Sequence, residues 1–392
     1  MTRQQVCYPS IETPAVLVDM EKLEANIKEM SQMASEAGVR LRPHIKVHDS
    51  GYIARLQIEA GACGIEVGTI AKAEAMVKEG IRDIIIAHPS FYNKHKLGIL
   101  KRFLERPELR ITVMLDMIEQ AEGLSQAGQV ASKKVPVLLK IDTNLEAGGI
   151  QRYGILPGKP TLNVAKKLSQ LPNIQVIGIY AHEMVTDWAA EAIDKAAFKT
   201  ALIMAETAKC LNREGITTEH VSVGASSTFR ATCRYIKEGK FPEITEIHPG
   251  SCVFGDIGYI MKGANMIETC ALTVLTTVTS NSHLDWATID AGFRTFSNDP
   301  LIEAQATPGF FYKGMPRFGY IQGHPDLWLG RLFTESAAIY YMDSKAGLTL
   351  GERLEIIPNN SILVTNMHDH IYGVRNGVVE RVIKVTGRGM GI

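Results

Sequence analysis

The chain has 392 residues, 45% of them hydrophobic, and its 42 basic and 42 acidic residues give a net charge of +0. A chain of this size can bury one large core and a second, smaller one. Because there is no basic excess, the charge does not favour nucleic acid or an anionic membrane surface as a partner. The first residues lack the apolar core of a signal peptide, and no stretch has the apolar length of a membrane span.

The six cysteines are scattered along the chain, without a CxxC pair or a spacing typical of metal ligands. This pattern is typical of reduced thiols in a cytosolic protein. We therefore expect a cytoplasmic location.

From Thr13 to about Asp256 the chain alternates short apolar runs with longer amphipathic stretches. The predicted strands cover residues 14–18, 41–47, 64–67, 83–87, 111–115, 135–141, 174–180 and 220–223. Residues at helical spacing predict helices between them, for example over 21–37, 70–79 and 161–168. About eight successive β/α units predict a closed parallel (β/α)8 barrel, because a doubly wound sheet seldom needs so many.

After Gly255 the sequence changes to short runs rich in Thr, Val and Leu, separated by Gly, Pro, Asn and Asp. The triplet Ser280-Asn281-Ser282 is typical of a hairpin turn. The predicted strands cover residues 270–278, 283–290, 337–341, 353–357 and 379–385. We therefore expect a barrel over residues 13–256 and an antiparallel β-domain over 257–392, to which residues 1–12 could also belong.

The segment Arg42-Pro43-His44-Ile45-Lys46-Val47-His48 comes at the end of the second predicted strand. Active sites of such barrels gather at the carboxyl ends of the strands. Burial lowers the pKa of a lysine amine, and an unprotonated amine can form a Schiff base with an aldehyde. The commonest aldehyde partner is pyridoxal phosphate (PLP), so Lys46 is the candidate cofactor lysine. A basic residue that faces water is the plain alternative.

Two turns rich in glycine and serine follow the last two strands of the predicted barrel, at Ser222 to Thr228 and at His248 to Ser251. Backbone N–H groups and hydroxyls at such turns can bind a phosphate. Each turn alone would be read as an ordinary turn, but together they predict the phosphate site of a barrel. The candidate cofactor-binding residues in these turns are Ser222, Gly224, Ser226, Thr228, Gly250 and Ser251.

These motifs resemble those of the D-threonine aldolase and D-serine dehydratase family, which consists of fold type III PLP enzymes with an alanine racemase-like barrel. The segment at Lys46 resembles the family's Arg-Pro-His-x-Lys-Thr-His motif, with Val47 in place of threonine. Residues 222–228 resemble its phosphate loop, Ser-x-Gly-Ser-Thr-Pro-Thr, with Ala225, Ser226 and Ser227 substituted. Residues 247–256 resemble its Pro-Gly-Asn/Ser-Tyr-Val-Phe-x-Asp stretch, with Cys252 in place of tyrosine. The resemblance covers nearly the whole chain.

Two further elements resemble the family near the cofactor ring and the substrate. Residues 142–153 resemble a turn that delivers an arginine to the ring, and Arg152 is the matching residue. An arginine there could bond the phenolate oxygen or keep the pyridine nitrogen unprotonated. Residues 180–183 resemble the Tyr-x-Gly-His element, which implies that Tyr180 and His182 act near the substrate as a proton relay or carboxylate ligand. The plain alternatives are a surface arginine and a buried structural histidine.

The main departure from the family lies at the two residues that bind a metal in family members. Family members hold a divalent metal with a His-x-Asp or His-x-Cys pair, whereas this chain has Asn360 and Ile362 at those positions. Isoleucine cannot bind a metal, and a lone neutral amide is a poor ligand. We therefore predict no metal at the usual position. The nearby His368, Asp369 and His370 leave a displaced metal site open.

The resemblance implies a PLP-dependent lyase that cleaves D-configured β-hydroxy amino acids to glycine and an aldehyde, with Lys46 also acting as a base on one face of the α-carbon. It also implies a homodimer in which the partner's β-domain closes each barrel. Because the metal pair is missing, a metal-independent amino-acid racemase or epimerase is the alternative, and a D-amino-acid dehydratase is the third. A PLP carrier on the same barrel is disfavoured, because the small carriers lack a second domain.

Overall fold

The computed structural model describes residues 8–144, 154–185, 187–301, 311–342 and 347–391. The chain divides into two compact units. One consists of the described residues up to Asn26, Val47–Ser50 and Ser251–Gly389, and the other of Ile27–Lys46, Gly51–Gly250 and the described residues from Met390. Each unit thus combines segments that are distant in sequence, whereas the predicted domains, 13–256 and 257–392, are continuous.

Among the described residues the larger unit is built on eight parallel strands, the number that the sequence predicted, but Glu246–Ile247 stands among them in place of the predicted strand 14–18. In chain order they are Arg40–Leu41, Ile65–Val67, Asp83–Ile86, Arg110–Leu115, Val135–Lys140, Ile174–Tyr180, His220–Val223 and Glu246–Ile247. A bridge between His44 and Glu66 joins the first two of these strands, and the N–H of Glu66 donates to the carbonyl of Pro43. The first strand also pairs with the last one, so the sheet closes into a barrel.

Helices follow most of the barrel strands. In chain order they are Gly51–Glu59, Ile70–Lys78, Lys94–Leu104, Glu119–Ala131, Lys159–Ser169, Ala190–Arg213 and Phe229–Lys237, while the helix Met20–Ala37 precedes the first barrel strand. Side chains cap the start of three of these helices: Asp19 accepts from the N–H of Glu21 at 3.0 Å, Thr69 from that of Lys72 at 3.2 Å and Asn93 from that of Lys96 at 3.0 Å. Among the described residues, no helix is long and apolar enough to cross a membrane.

The barrel strands are buried by helices outside and by side chains inside, which explains their continuous apolar sequences. Ile84, Val113, Val137, Ile179 and Val221 are all fully buried. Aliphatic residues fill the interior of such barrels in layers, so the polar side chains that do occur there are few and need partners. Functional groups are therefore expected at the strand ends.

The predicted strand 41–47 was wrong in its length. The observed strand ends at Leu41, and Ile45–Val47 form a short 3-10 turn. Pro43 lies between them and has no N–H to donate to a strand ladder, which favours an early end of the strand. Lys46 therefore lies on a tight turn beyond the strand and not on the strand itself.

The other unit is built on a nine-stranded sheet that is mostly antiparallel, which confirms the predicted β-domain. Its strands are Ala15–Asp19, Leu272–Ser280, Trp286–Ile289, Gly319–Ile321, Leu327–Leu332, Ala337–Tyr341, Arg353–Pro358, His370–Arg375 and Val378–Lys384. A separate hairpin pairs Phe311–Tyr312 with Met315–Pro316. Short helices lie at Ile257–Met261, Phe293–Phe296 and Ser361–Asn366.

The strand predicted at 14–18 exists, but the prediction that it opens the barrel was wrong. Ala15–Asp19 pairs antiparallel with Leu272–Ser280 and parallel with His370–Arg375, inside the nine-stranded sheet. Four of its five residues are buried. A short apolar run indicates burial on both faces, but it does not tell which sheet provides the neighbours.

Candidate active site

Lys46 lies on the turn that follows the first barrel strand. Its N–H donates to Nδ1 of His44 at 3.2 Å, which holds the turn in place. Lys46 is partly exposed, whereas the preceding Ile45 is fully buried. A lysine that is anchored by its backbone and partly exposed can be reached by a ligand.

His44 is buried beside this lysine. Burial, and then the positive charge of Lys46, lower the pKa of His44 well below its usual value, so its imidazole is neutral at pH 7. Its Nδ1 accepts from the backbone, and within the described part of the chain its Nε2 has no protein partner. A buried ring nitrogen without a partner is a candidate contact for a bound molecule.

The two turns predicted to bind phosphate meet in the barrel unit. The N–H of Gly250 donates to Oγ of Ser226 at 3.0 Å, and this bond is buried. A Cβ at residue 250 would clash with the carbonyl oxygen of His44 and would lie 3.1 Å from its carbonyl carbon, so only glycine allows the backbones to approach so closely. Ser226, Gly250 and His44 thus form one packed group next to Lys46.

Glu183 occupies part of the turn at Ser222 to Thr228. Its Oε1 accepts from the N–H of Gly224 at 3.2 Å, from the N–H of Ala225 at 3.3 Å and from the hydroxyl of Thr228. Burial raises the pKa of Glu183, while these bonds lower it, and burial is the larger effect. Two of the predicted phosphate ligands, Gly224 and Thr228, therefore already bond a carboxyl group of the chain.

Tyr180, His182 and Ser222 are brought together by His248, a residue to which the sequence analysis gave no role. His248 Nδ1 lies 2.9 Å from Oγ of Ser222, and His248 Nε2 lies 3.4 Å from Nδ1 of His182. The ring of His248 stacks on that of Tyr180, with the centroids 4.3 Å apart. The signal available in the sequence was its position in the turn that contains Gly250.

The phenol of Tyr180 points to a second polar group inside the barrel. Its hydroxyl donates to Oε2 of Glu66 at 3.2 Å, and the ammonium of Lys140 lies 4.6 Å from the centre of the ring. Burial raises the pKa of Glu66 well above its usual value. Tyr180 is thus fixed on three sides, by His248, Glu66 and Lys140.

Arg42, which entered the sequence analysis only as part of a motif, is the centre of a buried ion-pair network. Its Nε lies 3.1 Å from Oε2 of Glu246 and its Nη1 lies 2.5 Å from Oδ1 of Asp83. Burial is the largest single effect and works against ionisation of Glu246, but Arg42, His220 and Arg40 together outweigh it, and the pKa of Glu246 falls to about 2. This network stabilises the barrel and leaves the cofactor role to other residues.

Two predicted cofactor residues are not part of these groups. Arg152 lies outside the described residues, so its role stays a prediction. Ser251 begins the 3-10 turn Ser251–Val253 and is buried, but it belongs to the other unit.

Asn360 and Ile362, at the positions of the family's metal pair, open a short helix. Oδ1 of Asn360 accepts from the N–H of Ile362 at 3.1 Å and from that of Leu363 at 3.3 Å, and its Nδ2 donates to Asp299 at 2.8 Å. The Asn360 side chain is therefore a helix cap.

The three candidates for a displaced metal site have separate partners. His368 Nε2 lies 3.4 Å from the carbonyl of Thr295, Asp369 pairs with Arg388 at 2.5 Å, and His370 Nε2 lies 3.1 Å from the hydroxyl of Tyr372. Among the described residues, no group of three or more His, Cys, Asp or Glu could hold a metal ion. The displaced site receives no geometric support from these residues.

Comparison with known proteins gives a consistent result over both units. Residues 18–257 match the family model "alanine racemase, N-terminal domain", and residues 271–374 match a serine dehydratase domain model. The chain is 27% identical to a 3-hydroxy-D-aspartate aldolase of Paracoccus denitrificans, over 97% of this chain and 93% of that protein. It is 28% identical to a D-threo-3-hydroxyaspartate dehydratase of Delftia, over 90% and 91%.

The fold is similar to that of a solved D-threonine aldolase from Filomicrobium marinum, with a TM-score of 0.83 and 26% identity over 99% of both chains. The alanine racemase model covers more than half of the sequence. The chain therefore belongs to the alanine racemase N-terminal domain family, and it is an enzyme of the PLP-dependent fold type III class.

Proposed function

We propose that this protein is a PLP-dependent lyase that cleaves D-configured β-hydroxy amino acids to glycine and an aldehyde. The observation that carries the proposal is the group of residues around Lys46, in a chain whose aldolase relatives match both units. His44, Ser226 and Gly250 surround the strand end at Lys46, and Tyr180 and His182 lie on another strand end of the same barrel.

The residues present fit PLP. When bound, PLP supplies an aldehyde for covalent attachment to an amine and a ring that withdraws electrons from the α-carbon of the substrate. Lys46 is the amine that would hold it, and Ser226 offers a hydroxyl that the N–H of Gly250 holds in position, which is the donor chemistry of a phosphate site. Arg152 stays the predicted contact of the ring.

The remaining phosphate ligands predicted from the sequence are Ser251, the pair Gly224 and Thr228, and Ser222, whose hydroxyl already bonds His248. Ser251 continues the chain from Gly250 and is proposed to bind the phosphate with its neighbour. Gly224 and Thr228 already bond Glu183, so they would reach a phosphate only by exchanging that partner. We propose that these two residues shape the turn through Glu183, and that Ser226 carries the direct contact.

His182 is proposed as the base that takes the proton from the β-hydroxyl of the substrate, with Tyr180 beside it. Loss of that proton turns the hydroxyl into a carbonyl while the bond between the α- and β-carbons breaks, so a base near the oxygen is required. In the family a metal assists this step by holding the oxygen. Here Asn360 is a helix cap and Ile362 is apolar, so we propose that no metal bound at these two positions assists the loss of the proton.

Asn360 and Ile362 also favour a second candidate, a metal-independent racemase or epimerase, because that reaction needs only two bases on opposite faces of the α-carbon. A dehydratase, which must expel hydroxide, depends more on a Lewis acid and is the third candidate. Incubation with D- and L-amino acid panels followed by chiral chromatography separates them. Glycine plus an aldehyde from D-β-hydroxy amino acids supports the lyase. Amino acids of inverted configuration would instead indicate the racemase or epimerase, and an oxo acid would indicate the dehydratase.

The cofactor assignment has its own test. Borohydride reduction followed by peptide mapping should place the PLP label on Lys46, and Lys46→Ala should lose turnover by several orders of magnitude because covalent catalysis is lost. Lys78→Ala is the matched control, since the Lys78 side chain is 73% exposed on a barrel helix. A label on another lysine would contradict the assignment.

Metal independence is tested by exhaustive chelation before assay. Unchanged activity supports the proposal, because a catalytic metal stabilises the transition state by several kcal/mol. Loss of activity that manganese or magnesium restores would overturn it. The double substitution Asn360→His and Ile362→Asp gives the converse experiment. Metal-stimulated cleavage by this variant would mean that the backbone still has the geometry of a metal site and that only the ligand side chains are missing.

Assembly and location are proposed from the family resemblance and the cysteine pattern. We propose a homodimer in the cytoplasm, in which the partner subunit closes the barrel against water. Sedimentation at micromolar concentration should give twice the mass of 43.1 kDa. A fully active monomer would contradict the dimer.

A further inference from the structure

Ser222, His248 and His182 form a continuous chain of side chains across three barrel strand ends. Ser222 lies on the strand His220–Val223, His182 follows the strand Ile174–Tyr180, and His248 follows Glu246–Ile247. The distances along the chain are 2.9 Å from Ser222 Oγ to His248 Nδ1 and 3.4 Å from His248 Nε2 to His182 Nδ1. Ser222 and His248 are both buried.

His248 is neutral in this chain. Burial, and then the positive charges of Lys140 and Lys46, lower its pKa to about 3, while the charge of Glu246 acts in the opposite direction. A neutral imidazole carries one proton, so one ring nitrogen donates and the other accepts. If Nδ1 of His248 donates to Ser222, then Nε2 of His248 must accept from Nδ1 of His182.

This arrangement fixes the function of the opposite nitrogen of His182. With its proton on Nδ1, His182 presents an unprotonated Nε2, which is a base. When Nε2 of His182 takes up a proton, the hydrogen bond from Nδ1–H of His182 to His248 is already formed, so neither side chain has to reorient. In the other arrangement, with Nε2 of His248 donating, His182 would carry its proton on Nε2 and could not act as a base.

We propose that His248, held by Ser222, is a positioning residue that keeps the proton of His182 on Nδ1 and thereby makes Nε2 of His182 the proton acceptor of the reaction. This inference rests on the proposed role of His182 as the base. His248 itself need not touch the substrate. The alternative is that His248 only packs, because its ring also stacks on Tyr180 at 4.3 Å.

Two substitutions separate hydrogen bonding from packing. His248→Phe keeps an aromatic ring against Tyr180 and removes both nitrogens. His248→Gln loses the stack but offers an amide oxygen that can accept from His182. Partners that fix the tautomer of a metal-bound histidine typically change activity by about 10- to 100-fold, and we take that range for His182. We expect kcat to fall by that factor in His248→Phe, with KM nearly unchanged, and to be largely restored in His248→Gln.

The tautomer itself can be read without turnover, by NMR of the PLP-loaded protein labelled with ¹⁵N-histidine. His182 should carry its proton on Nδ1 in the unmodified protein. In Ser222→Ala, where Nδ1 of His248 loses its partner, the proton should move toward Nε2 of His182. His283→Phe is the control, because His283 also stacks on an aromatic ring, Trp286, but is exposed in the other unit.

The outcomes are distinct. A proton on Nε2 of His182 in the unmodified protein, or a tautomer that Ser222→Ala does not change, would overturn the inference. So would equal losses of kcat in His248→Phe and His248→Gln when both variants melt at the temperature of the unmodified protein. If no D-amino acid is turned over, the proposed function fails, while the NMR measurement still decides which nitrogen of His182 is protonated.

Discussion

Replacing Gly250 by alanine tests whether the close approach of Gly250 to His44 sets the position of Lys46. The added Cβ would lie 3.1 Å from the carbonyl carbon of His44. The carbonyl oxygen of His44 would be closer still, and since non-bonded heavy atoms pack at about 3.5–4.0 Å, the two backbones would have to separate by roughly 1 Å. Overpacking of a close-packed site costs about 1–3 kcal/mol.

The displacement reaches Lys46 through His44. Because the N–H of Lys46 donates to the His44 ring, a shift of His44 moves the turn that carries the lysine. A misplacement on the order of 1 Å at a reacting group costs about 10²-fold in rate. We expect Gly250→Ala to lower kcat by up to this factor and to weaken PLP binding, measured by titrating the absorbance of the bound cofactor.

Gly98→Ala is the matched control. Gly98 lies in the helix Lys94–Leu104, where a Cβ would meet nothing within 4 Å, and alanine stabilises a helix by about 1 kcal/mol relative to glycine. Urea unfolding should therefore show a loss for Gly250→Ala and a small gain for Gly98→Ala. If Gly250→Ala kept the PLP affinity, the kcat and the unfolding free energy of the control, the reasoning would be refuted.

The remaining predictions concern buried polar groups. Arg42→Met should lower the urea unfolding free energy by about 3 kcal/mol, because Glu246 loses its main partner, and Arg55→Met at an exposed pair by less than about 1 kcal/mol. The pKa of Glu246 is lowered to about 2, so the stabilisation that this group contributes to the fold is complete above pH 4.5 and is lost as the pH falls toward 2. In acid titrations, the unfolding midpoint of Arg42→Met should therefore depend less on pH than that of the unmodified protein. Glu183→Ala, which orphans two N–H groups, should cost about 1–3 kcal/mol and Glu183→Gln less. Asn360→Ala should cost about 0.5–2 kcal/mol through loss of the helix cap, seen as a lower melting temperature.

Most of the helices and strands could be predicted because they follow from local patterns of apolar and polar residues. The strands 174–180 and 220–223 were predicted to the residue, since continuous apolar runs between helical stretches are characteristic of a covered parallel sheet. The strand at 14–18 was assigned to the wrong sheet, because its own pattern is the same whether the neighbouring strands come from the barrel or from the β-unit.

The sequence by itself determined the chemistry of single positions: a lysine in the Arg-Pro-His-x-Lys segment, two turns with the composition of a phosphate site, and an amide and an aliphatic side chain at Asn360 and Ile362. These follow from residue type and local spacing. Only the tertiary structure decided which side chains meet. His248 joins Ser222 to His182, and Glu183 takes the donors of Gly224 and Thr228. Their partners lie up to 66 residues away along the chain, and closure of the barrel brings these strand ends within hydrogen-bonding distance.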